Sequence, residues 1–434
     1  MSAATEAPST TASAATRAYY TLTVTRWFPV GFVVGIFVLY ATERGLTTAQ
    51  ALTAFSVAGI VCFLLELPTS GLADAHSRRA VYLGAAVVNV LTGALYLIAD
   101  SFAMFALAAA AMGAFRALDS GPLEAWFVDA VHVDRPGADV DQQLSRGAVL
   151  LGVTMALGSL LSGGLIWWHP ITAIPAIDAA VWVFAALNVV HLVCVLVFMR
   201  GDARPADTEG QDDAGEGSPG LRQVIGSGLR LMTRSPVLAG LILAEVCWSV
   251  AMISFESLMP LRLAELLGSA TEAAAWMGPA AAPSWGLFSL GAALAGLLSK
   301  RIGVTRAAMT GRVLNSLGAI SMGLVAGPAA LIAAYLLTYT AHGVNGPPHS
   351  ALLHRVATSR NRSTVLSLNS MMAFLAFAVA TPLLGVLADA SSLVIAIIVA
   401  GAVGLAGTLA YLPARRAERE RDAALAETPT APPD

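Results

Sequence analysis

Charged side chains lie inside long apolar stretches of this sequence, and they are the first candidates for chemistry. Glu245 falls near the middle of the apolar stretch 236–261, and Glu256 follows three helical turns later. An ionised carboxylate without a partner is costly in an apolar medium, so such a group tends to bind and release a proton. Glu245 is therefore a candidate for proton coupling or cation binding, whereas we expect Glu256 at the outer mouth.

A second group of charges interrupts the apolar stretch 102–128. Arg116 and Asp119 are three residues apart, so they share one face of a helix and Asp119 is the nearest partner by sequence. We take both as candidates for proton coupling, with a static ion pair as the alternative. Arg26 opens the first apolar stretch, and it either faces a cavity or extends to the membrane surface.

A third group lies between two apolar stretches, in residues 66–79. It contains two acids, Glu66 and Asp74, and two arginines, Arg78 and Arg79. Charges are tolerated where a membrane helix leaves the lipid. We interpret the stretch as the cytoplasmic turn between the second and third spans, with Glu66 as a further candidate for proton coupling.

The composition requires a membrane. The chain has 434 residues, of which 56% are hydrophobic and 12% charged, whereas soluble proteins carry about 25% charged residues. A span needs roughly 20 apolar residues. The predicted fold is an all-α membrane protein of twelve transmembrane helices, at residues 18–41, 49–72, 80–99, 102–128, 146–168, 174–199, 236–261, 274–298, 306–326, 328–347, 364–388 and 391–412.

The spans form two sets of six. Residues 18–199 form the first half and 236–412 the second, and the Gly-, Asp- and Pro-rich linker 200–235 separates them. Residues 1–17 are predicted to be a disordered tail, and 413–434 a second tail. Apart from Arg44 and Arg262 in loops on one side, and Arg26 and Arg116 in spans, we place the Lys and Arg residues in the tails, the even-numbered loops and the linker. That bias predicts both termini in the cytoplasm of a multi-pass protein of the cell membrane.

One offset relates two separate sites in the two halves. A shift of 226 positions aligns the charged turn after span two with the end of span eight, and span four with span ten. His342 and Asn345 become cavity candidates by this relation, and Trp248 by its position three residues after Glu245. A chance match of small residues is the alternative to duplication. The aligned pairs are Ser70 with Gly296, Asp74 with Lys300, Arg116 with His342, and Asp119 with Asn345.

This pattern resembles the major facilitator superfamily over essentially the whole spanning region. The family signature after span two reads Gly-x-x-x-Asp-Arg/Lys-x-Gly-Arg-Arg/Lys. Asp74, Arg78 and Arg79 match it, whereas Ser70 and Ser77 replace the glycines. The resemblance implies that Asp74 and Arg78, with Arg79, latch the two halves together on the cytoplasmic side. A contact made in one of two states biases the equilibrium between them. The alternative is a solvated loop with ordinary positive-inside arginines.

Three further stretches, 66–69, 113–129 and 362–367, are similar to a subgroup with Glu-x-Pro-Thr before the signature, which is drug-efflux-like. Gly163 and Gly164 in span five lack the proline of a drug-antiporter signature. The implied function is a secondary active transporter that moves a small organic molecule by alternating access, as a proton-coupled exporter. An importer or uniporter of a polar metabolite is the alternative. A non-transporting receptor or assembly partner on a carrier fold is the alternative of another class.

No motif for an enzyme is found. Lys300, the one lysine, follows Ser299, so there is no Gly-Lys-Ser/Thr phosphate loop. There is no metal-ligand spacing or nucleophilic triad either. We expect no cofactor beyond the proton gradient; the expected partners are the lipid bilayer, protons and a small-molecule substrate, with no nucleic acid, and we expect a monomer. The Ala- and Arg-rich composition is typical of bacteria with GC-rich genomes.

The repeat predicts an asymmetric gate, since the first half retains the acid whereas the second has Lys300 in its place. We expect Asp74→Asn to reduce the initial rate of substrate transport more than Lys300→Gln, because only the first removes an acid from the predicted latch. Uptake into vesicles with equal amounts of each variant measures the difference. Equal losses, or a greater loss with Lys300→Gln, would contradict the asymmetry.

Overall fold

A computed structural model describes residues 11–75, 77–201, 226, 230–358 and 361–427, with the side chains of 66–68, 70–75, 363 and 424–427 left out of the description. All of the regular structure in these ranges is helical. The all-α prediction is confirmed. Where one helix continues the previous one across a short break or turn, we count the two as one rod. The described residues then contain twelve rods, in the order predicted for the twelve spans.

The first six rods contain eight helices, because two rods are broken. The first rod breaks at Gly35, which has a φ of 69°, and the fourth at Gly121, which has a φ of 93° and precedes Pro122 at the start of the next helix. Glycine adopts these angles without steric cost. The helices are α1 Ala12–Val33, α2 Ile36–Glu43, α3 Thr48–Ala75, α4 Arg78–Ile98, α5 Phe102–Asp119, α6 Pro122–Asp134, α7 Asp141–Trp168 and α8 Ala176–Phe198.

The last six rods also contain eight helices. The seventh rod continues through a π-helical turn, Ser254–Leu258, and the twelfth through a 3-10 turn, Thr408–Tyr411. The helices are α9 Pro236–Ile253, α10 Met259–Leu267, α11 Ala270–Ile302, α12 Val304–Leu324, α13 Pro328–Val356, α14 Arg362–Ala390, α15 Leu393–Gly407 and α16 Leu412–Glu427.

Nine of the described helical stretches are long and apolar enough to span a membrane, or ten if the bent pair α1 and α2 is one span. The two long helices outside that group are α12 and α13. Both bury polar side chains in the protein, among them Arg312 and Asn315 on α12 and Asn345 and His349 on α13. Their lower hydropathy therefore reflects the polar groups that they carry rather than a different kind of segment.

Two helices extend beyond their predicted ends. Helix α1 begins at Ala12 rather than at residue 18, because Thr11 accepts a hydrogen bond from Ala14 N and Ala12 N donates to Asp134 Oδ2 at 2.9 Å. Residues 12–17 are therefore helical rather than disordered. Helix α16 continues to Glu427, whereas the twelfth span was predicted to end at residue 412.

Contacts divide the chain into two compact units. The first unit comprises Met1–Gly220 and Leu263–Trp285, and the second comprises Leu221–Arg262 and Gly286–Asp434. The boundaries predicted for the halves and the linker stay predictions, and most of the linker, 202–225, lies outside the described residues.

In the first unit, helices α1 and α7 approach so closely that they need glycine. A Cβ on Gly31 would lie 2.6 Å from Met155 O and 3.0 Å from Gly158 Cα. Tyr19 and Phe127 stack in the core of this unit, with ring centroids 4.6 Å apart.

In the second unit, a cluster of buried side chains joins α9, α12, α13 and α14 with the 3-10 turn; it includes Leu241, Leu352, Val365 and Tyr411. Helix α12 also approaches α13 at Gly311, where a Cβ would lie 2.8 Å from Asn345 Oδ1. This packing brings polar side chains of α9, α12 and α13 close to one another in the second unit.

Candidate functional site

A buried ion pair lies at the centre of the second unit. Arg312 Nη2 of α12 contacts Glu245 Oε2 of α9, and the two side chains are 4% and 12% exposed. Glu245 is therefore not an unpaired carboxylate, because a residue 67 positions away in the sequence supplies a cation.

A hydrogen-bonded network surrounds the ion pair. Arg312 Nε donates to Tyr411 Oη at 3.2 Å, and Tyr411 Oη lies 2.7 Å from His349 Nδ1. The Tyr411 hydroxyl can then donate to Nδ1, which leaves the proton of His349 on Nε2. That nitrogen lies 3.4 Å from Glu245 Oε2 and 3.2 Å from Asn369 Oδ1. The neutral Nε2–H tautomer thus fits every contact of this histidine.

Aromatic rings flank the same arginine. The guanidinium carbon of Arg312 lies 4.7 Å from the ring centroid of Trp248, an arrangement that attracts a cation to the π face. Trp248 stacks on His342, with centroids 5.3 Å apart and planes 9° apart. Phe288 lies 5.0 Å from His342 on another side. Two of the predicted cavity residues, Trp248 and His342, therefore contact each other directly.

These side chains line a cavity of about 430 Å³. Small-molecule sites span roughly 300–1,000 Å³, so the volume suits a small organic molecule. The predicted residues Glu245, Trp248, His342 and Asn345 all lie on its wall. The full lining is Glu245, Trp248, Phe288, Arg312, His342, Asn345, Gly346, His349, Ser350, Leu353, Leu366, Asn369 and Ser370.

Several buried polar atoms of this lining have no hydrogen-bond partner among the described residues. They are Arg312 Nη1, Trp248 Nε1, His342 Nδ1, and both Nδ2 and Oδ1 of Asn345. Arg312 and Asn345 are only 3% and 2% exposed. Buried polar groups are almost always paired in folded proteins, so this group of atoms points to a polar ligand.

The first unit contains its own buried ion pair. Arg26 Nη2 lies 2.8 Å from Asp119 Oδ2, with side chains 6% and 15% exposed. The guanidinium carbon of Arg26 lies 4.6 Å from the Trp27 ring and 4.2 Å from the Phe115 ring. Arg26 therefore packs inside the unit and does not extend to the surface.

The partner of Asp119 differs from the expected one. Sequence proximity favoured Arg116 on the same helix, but the pairing that the structure shows is with Arg26, 93 positions away. Arg116 is exposed on α5. Arg116 and Asp119 are neighbours on one helix, yet the side chain that reaches the Asp119 carboxylate is that of Arg26, which comes from α1.

The predicted gate is described only in part. Arg78 Nη1 lies 2.6 Å from Asp129 Oδ2, and Arg79 Nε donates to Met199 O at 2.5 Å. Arg78 thus contacts α6, and Arg79 contacts the residue that follows α8. The side chains of Glu66 and Asp74 lie outside the described residues, so the Asp74–Arg78 latch and the role of Glu66 stay predictions.

In the second unit, α12 begins at Val304, which the 226-residue offset relates to the start of α4 at Arg78. The carboxylate at this N-terminus comes from Glu418 of α16. Glu418 accepts hydrogen bonds from the backbone N–H groups of Val304 and Thr305, both at 3.2 Å, and Arg355 Nη1 lies 3.2 Å from it. An anion is favourable at a helix N-terminus. Lys300 is exposed in the last turn of α11. Glu418 is not among the site residues predicted from the sequence.

Three further residues of the site, Arg312, His349 and Tyr411, are also not among those predicted from the sequence. Arg312 lies inside the predicted span 306–326, so its assignment to a loop, linker or tail was wrong; it is buried in α12. A charge inside a span was the signal that could have found it. His349 lies four residues after Asn345 and seven after His342, a spacing that places all three on one helix face.

Long apolar helices together with buried charges and a small cavity are typical of a membrane transporter. The chain belongs to the Major Facilitator Superfamily, whose family model matches residues 20–288 and again 263–433. Members of this fold transport substrates by alternating access, and the chain is a transporter rather than an enzyme. No curated protein matches the sequence.

Solved structures share the fold at low identity. The nucleoside transporter NupG has a TM-score of 0.75 at 10% identity, over 92% of this chain and 98% of that chain. A POT family transporter in complex with 5-aminolevulinic acid has a TM-score of 0.67 at 17% identity, over 92% and 95%. A bacterial homolog of the human lysosomal transporter Spinster has a TM-score of 0.67 at 14% identity, over 92% and 95%.

Proposed function

We propose that this chain is a proton-coupled transporter of a small organic molecule and that Glu245 carries the proton. The observation that supports this most directly is the buried Glu245–Arg312 pair on the wall of the cavity. A carboxylate in this position changes the charge of the cavity when it binds a proton. The electrostatic effect on neighbouring charged groups is large because the surroundings are apolar.

The coupling follows from the contacts of the pair. Protonation of Glu245 removes the negative charge that holds Arg312, so the guanidinium becomes available to another partner. Loss of the proton restores the pair. Each state of the carboxylate therefore favours a different arrangement of α9 and α12, and a contact that differs between two arrangements shifts their populations.

The proposed direction is export in exchange for protons, on the strength of the resemblance to the Glu-x-Pro-Thr, drug-efflux-like subgroup. The same proposal includes a bacterial cell membrane, both termini in the cytoplasm and a monomeric antiporter. Arg78, Arg79 and Asp74 are the proposed gate. Arg26 and Asp119 are a second proposed charge pair, and Arg116 and Glu66 remain candidates for proton coupling.

A second candidate is an importer of a polar metabolite. The polar wall of the cavity favours it, since two histidines, two asparagines and two serines line the space beside the ion pair. A hydrophobic drug would leave many of these groups without partners, which is costly.

Reconstituted proteoliposomes test the proposal with two measurements on the same protein. A panel of radiolabelled nucleosides, peptides, aromatic acids and organic cations first identifies a compound that undergoes counterflow exchange. The same compound is then followed under an imposed pH gradient, in both orientations. We expect Glu245→Gln to retain counterflow but to lose accumulation driven by the pH gradient, because glutamine cannot carry the proton.

Glu272→Gln is the matched control, since it makes the same change at an exposed position in the first turn of α11. It should retain both activities. Full pH-driven accumulation by Glu245→Gln would rule out Glu245 as the coupling group. A wild-type protein that exchanges no compound would favour a receptor or assembly partner on a carrier fold.

A further inference from the structure

The unpartnered atoms in the cavity of the second unit are mostly donors. Arg312 Nη1, Trp248 Nε1 and Asn345 Nδ2 can only donate, whereas Asn345 Oδ1 can only accept and His342 Nδ1 can do either. None of these atoms has a hydrogen-bond partner among the described residues. A ligand that satisfies them must therefore present more acceptors than donors.

The charges on the cavity wall favour the same kind of ligand. Among the described residues that line the cavity, Glu245 is the one carboxylate, and Arg312 already holds it. A cationic ligand would need to displace Arg312 and would then lie beside a buried guanidinium. An anionic ligand would instead lie beside the positive guanidinium of Arg312 on the cavity wall, and a charge-assisted hydrogen bond is among the stronger polar contacts.

Binding of an anion at Arg312 has a consequence for Glu245. The ligand carboxylate and the Glu245 carboxylate compete for one guanidinium, and a buried carboxylate that has lost its cation is costly. Glu245 avoids that cost when it takes one proton from solution. The oxygen–hydrogen bond that forms on Glu245 balances the negative charge that the ligand brings, so the loaded cavity has the same net charge as the empty one.

The aromatic and aliphatic residues of the cavity wall suit a ligand with a flat, partly apolar skeleton. Phe288 and the stacked pair Trp248 and His342 form a ring-lined side, and Leu353 and Leu366 supply aliphatic surface. Rings pack well against such surfaces in offset or edge arrangements.

We propose that this cavity binds a small planar organic acid together with one proton. The proposal rests on the proposed proton coupling through Glu245, and it favours the second candidate function, import of a polar metabolite by proton symport, over export in exchange for protons. The geometry that carries it is the buried donor group of Arg312, Trp248 and Asn345 beside a carboxylate that Arg312 neutralises.

Three probes that share one ring system test the proposal on the purified full-length chain: indole-3-acetate, indole-3-acetamide and tryptamine. They carry an anionic carboxylate, a neutral amide and a cationic ammonium group, respectively, on the same indole ring. We expect the acid to bind about tenfold or more tightly than the amide, because its contact with Arg312 is charge-assisted, and tryptamine to bind most weakly. Calorimetry in buffers of different ionisation enthalpy should show that the acid takes up one proton as it binds.

Two variants separate the roles of the paired residues. Glu245→Gln should bind the acid about tenfold more tightly than wild type and without proton uptake, because Arg312 then has no competing carboxylate. The double variant Glu245→Gln/Arg312→Gln removes both charges without leaving either one unpaired, and it should lose the preference for the acid. Glu272→Gln should match wild type in every measurement.

Equal binding of the three probes, tightest binding of tryptamine, or an acid preference that persists in the double variant would overturn the proposal. The proposed function fails separately from it. Accumulation of another compound that is driven by the pH gradient and lost in Glu245→Gln, without any preference for the acid, would retain the proton coupling and reject the organic acid. Acid binding without proton uptake would reject the symport.

Discussion

Arg312→Gln is expected to destabilise the protein more than any other single change at the cavity. Removal of one partner from a buried ion pair leaves the other charge uncompensated, which costs about 3–5 kcal/mol. Among the described residues, Glu245 would keep His349 at 3.4 Å as its partner, and Tyr411 would lose the hydrogen bond from Arg312 Nε. Thermal unfolding of the purified variant measures the loss, and we expect transport to be absent as well.

Two variants serve as controls for this prediction. Arg306→Gln makes the same change at an exposed position of the same helix and should stay within about 0.5 kcal/mol of wild type. Glu245→Gln/Arg312→Gln should regain most of the lost stability, because it leaves no unpaired charge, yet it should not couple transport to protons. A stable Arg312→Gln protein with wild-type transport would contradict the role of the pair.

Arg26→Gln is expected to produce the largest loss of stability in the first unit. The change leaves Asp119 buried without its cation and removes the guanidinium that packs against Trp27 and Phe115. We expect a loss of about 3–5 kcal/mol, seen as a lower unfolding temperature and a smaller folded fraction on size-exclusion chromatography.

Arg116→Gln is the matched comparison, because Arg116 is the arginine that the sequence placed beside Asp119. Since Arg116 is exposed, its replacement should reduce the unfolding free energy less than the loss of the buried Arg26 does, because exposed charges contribute little to stability. The double variant Arg26→Gln/Asp119→Asn should be more stable than Arg26→Gln alone. A greater loss with Arg116→Gln than with Arg26→Gln would show that the pairing in the structure is not the one that stabilises the protein.

The helices could be predicted from the sequence because their signal is local. Each apolar stretch needs to cover the same thickness of lipid, so length and hydropathy locate it within a few residues. The ends were less accurate: α1 begins at Ala12 and α16 reaches Glu427. Those ends depend on contacts with distant residues, such as the bond from Ala12 N to Asp134 and the contacts of Glu418 with α12.

The candidate site could be predicted only in part, for the same reason. Polar groups in apolar stretches and the repeat can both be recognised from the sequence alone. These signals identified Glu245, Trp248, His342 and Asn345. The partners of these residues cannot be recognised in the same way. Glu245 meets Arg312 from another helix, and Asp119 meets Arg26 rather than its neighbour Arg116. Helix packing decides which charges meet, and periodicity alone does not specify it.

The carboxylate of Glu418 has a consequence for the choice of protein boundaries. It closes the first turn of α12, the helix that carries Arg312, and it also contacts Arg355 at the end of α13. The helix after the last span therefore belongs to the folded transporter and is not a dispensable extension. Fusion partners and purification tags belong beyond Glu418, because a version that ends before this residue would leave the first amide groups of α12 without their acceptor.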